Sequence, residues 1–358
     1  MAIKSKELAG LLGVSAATVS LVLNHKPGIS EELRRTLLDR IREMGYGYMI
    51  RELPEAGVPE TVRQDAFREM NTICYVLLSE YSDEVSGASF FPAVIEGAER
   101  EARHMGYRFS IIHMYGEKGR RLKEGIGSAH YAGMIVYAES LDEEMKRQLD
   151  ETEIPYIVID CCDPYLRVSS VTVNNRQGVE TAIRYLYEKG HRRIGYVSSG
   201  RSHGSLAERS RSFHYAMEEL KLPVEPEHII TGETGPGAQR YLEKHWKEET
   251  PPPTALLVEN DILAVAVYRA LKNTGYRIPE DVSVIGFEGR SICSLLEPTL
   301  TTMRVPRRLL GRMLMMLLRS KMDLADRSLE DVPVRVEVNA ELVEMESVRE
   351  IINGQEGP

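Results

Sequence analysis

The sequence predicts a small all-α head joined to a large α/β body of parallel sheets. Three observations predict it: apolar residues at helical spacing in the first 50 positions, short apolar runs alternating with amphipathic segments from residue 73 onward, and a length of 358 residues, too great for one ordinary core. With 42% hydrophobic and 28% charged residues, the composition is that of a folded globular chain. No window approaches 18 uninterrupted apolar residues, and MAIKSKELAG has no apolar run behind its lysines. The expectation is a cytoplasmic protein with no membrane partner. Cys74, Cys161, Cys162 and Cys293 lack C-x-x-C spacing, so reduced, partly buried thiols are expected.

The first helix of the head starts near Ser5 and carries Leu8, Ala9, Leu11 and Leu12 on one side until Gly13 stops it. Ser15 suits the N-cap of the second, where Val19, Val22 and Leu23 form the inward stripe. Ala16, Ala17, Ser20, Leu21 and Asn24 are left to face outward. The third follows the turn HKPGI: Ser30 caps it, Glu31 and Glu32 suit its positive end, and Leu33, Leu37, Leu38 and Ile41 supply its buried face up to Gly45. Two helices joined by a tight glycine-containing turn and closed by a third make a helix-turn-helix unit. Small residues at the start of the second helix let its backbone approach a DNA groove, and Ser15, Thr18, Ser20 and Asn24 can donate to phosphate oxygens.

Net charge, −9 over the chain, is unevenly distributed. Residues 1–50 hold seven basic and five acidic side chains, which leaves 38 basic against 49 acidic for the rest. Affinity for phosphate is therefore expected to be local to the head.

The segment ELAGLLGVSAATVSLVLNHKPGISEELRRTLLDRIREMGY resembles, without gaps, the DNA-binding head of the LacI/GalR family of bacterial transcription regulators. The resemblance implies that Ala16, Ala17 and Leu21 face bases in the major groove, with Leu21 where many members have Arg. Alanine can touch a thymine methyl but cannot hydrogen-bond guanine. Family members also carry a hinge helix that wedges a leucine into the minor groove. Here Glu55 stands at the aligned position, Leu53 lies two residues earlier, and Pro54 and Pro59 disfavour a continuous helix.

In the body, strand-like runs at 73–78, 108–113, 133–137, 156–159, 193–197, 254–258 and 282–287 alternate with helical segments at 92–105, 176–189, 207–220 and 262–274. That alternation means parallel sheets with helices on both faces, and more than ten strands favour two sheets over one. The resemblance continues through FFPAVIEGAEREARHMGY, YLYEKGHRRIGYVSS, PTALLVEND and IPEDVSVIGFEGRSICSLLEPTLTTMRVP. It implies a type I periplasmic-binding-protein-like body: two doubly wound subdomains joined by crossovers near Val173, Arg304 and Asp331, closing on a small molecule. The expected boundaries are a head at 1–50, an atypical hinge linker at 51–71, a first subdomain at 72–173 with 304–331, and a second at 174–303 with 332–350.

Carried over residue by residue, the resemblance implies effector contacts from Ser89, Phe90 and Phe91 after the first strand, and from Asp160 at the end of IPYIVID. It adds His203, Ser205, Arg209 and Phe213 in RSHGSLAERSRSF, Asn260 and Asp261 after TALLVE, and Glu288 after VSVIGF. Each also has an ordinary structural use: Asp261 as a helix cap, Phe91 as core, Arg209 with Glu288 as a surface ion pair. An arginine and carboxylates lining one cleft suit a polyhydroxylated ligand, a sugar or sugar derivative first. No G-x-x-x-x-G-K-[ST], H-E-x-x-H or G-x-S-x-G occurs, GETGPG at 232–237 lacks dinucleotide-fingerprint spacing, and no metal-ligand or catalytic constellation is found. The expectation is a regulator with no enzymatic activity, cofactor or metal: a repressor binding a two-fold DNA site as a homodimer under effector control. The alternatives are a sugar sensor with a degenerate head, or a solute-binding protein. The tail ESVREIINGQEGP has no heptad, so no coiled-coil tetramer is expected.

Overall fold

The computed structural model describes residues 5–23, 28–43, 71–79, 90–115, 126, 131–138, 141–162, 165–200, 204–232, 236–326 and 332–351. The chain divides into two units, Met1–Asp65 and Ala66–Pro358. Asn24, Leu53, Glu55, Ser89 and His203, all singled out from the sequence, lie outside the described residues.

The head contains α1 (Ser5–Leu12), α2 (Ala16–Leu23) and α3 (Glu31–Glu43). Gly13, at φ 70, ends α1 in the left-handed region, and the Val14 amide donates to the Ala9 carbonyl at 3.1 Å, which makes the tight turn. Leu8, Leu12, Val19, Val22, Leu37 and Ile41 form its core. Two apolar residues depart from the expected stripes: Leu11 is 59% exposed and Leu33 41% exposed. Arg34 is buried instead, because its guanidinium donates to the Leu21 carbonyl at 3.0 Å and satisfies the end of α2.

The body holds two six-stranded sheets among its described residues. The first subdomain runs β1 (Thr72–Ser79), α4 (Phe91–His104), β2 (Arg108–Tyr115), β3 (Gly133–Ala138), α5 (Glu143–Asp150), β4 (Tyr156–Ile159) and β5 (Ser170–Asn174). Next come α6 (Asn175–Glu188), β6 (Ile194–Ser198), α7 (Gly204–Glu219), β7 (Ile229–Thr231), α8 (Pro236–Lys244), β8 (Ala255–Val258), α9 (Asp261–Thr274), β9 (Ser283–Glu288) and β10 (Thr301–Arg304). The chain then returns through α10 (Arg307–Asp326) to β11 (Arg335–Asn339) and β12 (Glu341–Val343). The sheet orders are β11-β5-β4-β3-β1-β2 and β12-β10-β9-β8-β6-β7, parallel except for the β10–β12 pair.

The third crossover is displaced from the position expected near residue 331. Residues Arg335–Asn339 still pair in parallel with Ser170–Asn174, so the segment after 331 belongs first to the first sheet and enters the second only beyond Ala340. Its pattern, RVEVN, gives an edge strand with one well-buried residue, Val338, too weak a signal to place it from sequence.

Alternation along β1 sends Ile73 and Tyr75 to one core and Cys74, Val76 and Leu78 to another, as a strand covered on both faces requires. Helices α4 and α10 meet at Gly97 and Gly311, where a Cβ would overlap the backbone carbonyls of Arg308 and Val94 respectively. That close approach fixes α4, whose first turn carries Phe91, against the helix that returns from the second sheet.

Candidate functional site

On the head, α2 presents its outward residues on a short, well-capped helix. The Thr18 amide donates to Ser15 Oγ at 3.0 Å, and the two hydroxyls lie 2.8 Å apart, so Ser15 sets the helix start. Ser15, Ala16, Ala17 and Ser20 are exposed, while Thr18 and Leu21 are half-buried. A Cβ on Gly28 would lie 3.3 Å from Leu21 Cδ1, which places the turn before α3 beside that side chain. The face is one of methyl groups and hydroxyls with no charged side chain of its own.

In the body, both sheets reverse their strand order, between β1 and β3 in the first and between β6 and β8 in the second. Such reversals open a crevice at the carboxyl ends of parallel strands, the usual ligand position in α/β sheets. Asp160 follows β4 at φ 64, and Glu288 ends β9 at φ 104. Left-handed backbone at two carboxylate residues costs on the order of 1–3 kcal/mol each, a feature that clusters at binding sites.

Those carboxylates meet on α7. Ser205 Oγ donates to Asp160, and a Cβ on Gly204 would lie 3.3 Å from the Asp160 carbonyl, so the end of β4 in the first sheet touches the start of a second-subdomain helix. Arg209, one turn further on, donates from Nε to Asn175 Oδ1 at 2.9 Å and from Nη1 to the Glu259 carbonyl at 2.8 Å. Its Nη1 is 3.6 Å from Glu288 Oε1, with the two side chains 3% and 10% exposed. The ion pair expected at the surface is therefore buried, and removing one partner of such a pair costs about 3–5 kcal/mol. Arg209 also stacks 4.0 Å from the Phe287 ring centroid, and Glu288 Oε2 accepts from Arg290 Nε at 2.5 Å.

Burial dominates the electrostatics. It raises Asp160 to about 6 against the lowering effects of Ser205 and Arg209, with Glu288 and Glu208 raising it further. Burial also raises the Glu259 carboxyl, which accepts from the Ser199 hydroxyl at 2.6 Å and the Ser199 amide at 3.1 Å. Arg307 is lowered by its own burial while it donates to the Gly289 carbonyl at 3.1 Å.

The first sheet adds an aromatic wall. Phe91 lies 4.2 Å from Tyr137 and 5.5 Å from Phe90 between ring centroids, and Arg307 stands 6.0 Å from the Phe90 ring. Both phenylalanines are half-buried, packed against the core on one side.

Two expected contacts are corrected by their positions. Phe213 has no exposed surface and stacks on Tyr196 at 5.2 Å, so it is a core residue beneath Arg209. Asp261 is equally enclosed: Oδ1 accepts from Thr302 Oγ1 and Oδ2 from the Arg290 amide, each at 2.7 Å, which ties α9 to β9 and β10. Burial raises it to about 6. Asn260, not Asp261, caps α9, accepting from the amides of Ile262 and Leu263 at 3.1 and 2.9 Å. The structure also brings in residues that sequence reasoning passed over: Asn175, Glu259, Arg290 and Glu208. Glu208 accepts from Asn175 at 2.8 Å and pairs with Arg335 of β11 at 3.0 Å.

No helix of the described residues is long and apolar enough to cross a membrane. Residues 5–47 match the model described as "Bacterial regulatory proteins, lacI family", and residues 183–348 the one described as "Periplasmic binding protein-like domain". The chain is 27% identical over 311 residues to the HTH-type transcriptional repressor PurR of Aliivibrio salmonicida (strain LFI1238), covering 86% of this chain and 88% of that one. Among solved structures it resembles a transcriptional regulator CelR–cellobiose complex, with a TM-score of 0.69 at 23% identity over 97% of this chain and 100% of that one. The Lac repressor dimer bound to operator and the anti-inducer ONPF gives a TM-score of 0.68 at 19% identity over 98% and 100%. With a lacI-type helix-turn-helix head and a periplasmic-binding-protein-like body of two parallel sheets, the chain belongs to the lacI family of bacterial regulatory proteins and is a DNA-binding transcriptional regulator.

Proposed function

We propose that this protein represses transcription in the cytoplasm as a homodimer whose two heads occupy a two-fold DNA site, and that a small molecule held between its subdomains sets DNA affinity. The single observation that carries this reading is the contact of Asp160, at a strand end of the first sheet, with Ser205 and Gly204 at the start of α7 in the second subdomain, four residues from Arg209. A ligand seated there touches both subdomains, so it favours one closure state by its differential affinity and changes DNA binding by that amount and no more. A single eight-residue recognition helix reaches too few bases for useful specificity, which is the argument for a dimer.

Asp160, Ser205, Arg209 and Glu288, with Phe90 and Phe91 opposite, suit a polyhydroxylated ligand: carboxylates and guanidinium supply charge-assisted hydrogen bonds, and a ring stacks on the aromatic wall. A sugar or sugar derivative is the leading class. A flat heteroaromatic base is the second reading, supported by the Phe90–Phe91–Tyr137 cluster and by relatives named PurR.

Selection of bound duplexes from a random pool, at about 50 and 150 mM salt, tests the regulator reading. An enriched palindrome that survives the higher salt is the expected result. Uniform, salt-labile binding to every sequence contradicts it.

A further inference from the structure

The geometry points to an effector that is a polyol carrying a basic amine, its ammonium held at Asp160, and not a phosphorylated or acidic sugar. This deepens, and rests on, the polyol reading above. Charge is the first argument. Around Arg209 the described side chains set Asp160, Glu259 and Glu288 against Arg209 and Arg290, while Asp261 with Arg307 and Glu208 with Arg335 cancel. Arg290 is engaged by Glu288 at 2.5 Å, and Arg209 is shared among Asn175, the Glu259 carbonyl and Glu288. Among the described residues Asp160 is left with a neutral hydroxyl, Ser205, as its hydrogen-bond partner, with the Arg209 charge acting on it without a hydrogen bond. A buried carboxylate without its own cation is costly, and an ammonium beside it removes that cost, whereas a phosphate or a second carboxylate adds to it.

The second argument is independent of charge. Tyr75 on β1 and Tyr196 on β6 are 0% and 1% exposed, and among the described residues neither hydroxyl has a hydrogen-bond partner. The Tyr75 hydroxyl lies within electrostatic reach of Tyr137 and Asp160, and that of Tyr196 within reach of Glu259 and Arg209. Each sheet thus buries one such hydroxyl on the strand where its order reverses. Buried phenols left unpaired are replaced by phenylalanine at little cost or with a gain, unless something bound uses them.

The test is calorimetry on the full chain with glucose, galactose and mannose, each in neutral, 2-amino, 6-phospho and uronic acid form, alongside operator binding by the same preparation. The amino form of one sugar is expected to bind about tenfold tighter than its neutral form, the value of one charge-assisted hydrogen bond, and the two anionic forms weaker than either. Asp160→Asn is expected to weaken every form and to bring the amino and neutral forms to equal affinity, and Tyr75→Phe to weaken both forms alike. Tighter binding of a phosphorylated or uronic form overturns the inference, as does an amino preference that survives Asp160→Asn. Binding by none of the panel overturns it too, and intact operator binding in that case shows that the regulator reading still stands.

Discussion

The two sheets of the body are wound alike but end in different chemistry. The first closes its crevice with rings, Phe90, Phe91 and Tyr137, plus one carboxylate, Asp160. The second closes it with a hydrogen-bonded set built on Arg209, Asn175, Glu259 and Glu288. A common topology supplies the crevice, and the strand-end residues decide what it holds. The rings offer area and shape with little orientation, whereas the charged set fixes orientation and punishes a wrong partner through unpaired buried groups.

The largest expected effect falls on the charged side. Arg209→Leu should abolish ligand binding and destabilise the body by about 3–5 kcal/mol, because Glu288 keeps its burial and loses one of its cations. Urea unfolding of Arg209→Leu, Glu288→Gln and the double variant checks this; the double variant should recover part of the loss, and strict additivity would show the pair is not coupled. Next is Gly97→Ala, expected to cost about 1–3 kcal/mol by forcing α4 off α10, with ligand affinity falling because Phe91 moves with α4. An unchanged melting temperature would show that the helices have room. Phe91→Ala should weaken ligand binding by roughly tenfold or less, since one ring contact is worth about 0.5–1.5 kcal/mol, and should leave any preference between ligand charge states intact.

One buried group in each subdomain, Asp160 and His191, answers to acidity with opposite sign. Asp160 titrates at about 6 when folded, above its ordinary value, so its stabilising contribution is complete below the ordinary carboxylate value and is lost as pH rises through 6. Asp160→Asn should therefore gain on the parent chain at pH 7.5 relative to pH 4.5, by about 2 kcal/mol. His191 of the second subdomain is held down to about 4 by burial, between Thr254 Oγ1 at 3.1 Å and the Arg349 carbonyl at 3.2 Å. Its contribution is present above about 6.5 and lost as pH falls toward 4. Denaturation of Asp160→Asn and His191→Gln across that window should give opposite pH slopes relative to the parent. The smallest effect is on the head, where Ser15→Ala removes the α2 cap at about 1 kcal/mol, measurable as lower head stability with the body transition unchanged.

The head was legible because its elements are local: Gly13, Ser15 and Ser30 mark ends, and the stripe Val19, Val22 and Leu23 states the buried face outright. It misled at Leu11, which is exposed, and at Leu33, whose place in the core is taken by Arg34. The strands were legible for the same reason. The site was legible only in part. Asp160, Arg209 and Glu288 sit at strand ends or in a matched motif, but Glu259 hides as the last residue of an apolar run and Asn175 beside a second asparagine that caps α6. Which of two adjacent asparagines turns inward is set by residues far along the chain, Ser205 and Arg209, and spacing cannot show it. Phe213 and Asp261 misled in the other direction, since residue type does not reveal that their surroundings are complete.

On the function proposed above, the α2 face meets DNA and the Arg209 cluster answers to the ligand. The most direct test is one titration of the selected operator, without and with ligand, by the parent chain, Ala17→Glu and Arg209→Lys, with calorimetry of ligand binding on each. The account predicts that Ala17→Glu loses operator affinity by more than about a hundredfold yet binds ligand normally, since a carboxylate placed on the groove face is repelled by phosphate. It predicts that Arg209→Lys binds operator but no longer changes affinity with ligand. Undiminished operator binding by Ala17→Glu, or an undiminished ligand response in Arg209→Lys, would contradict it.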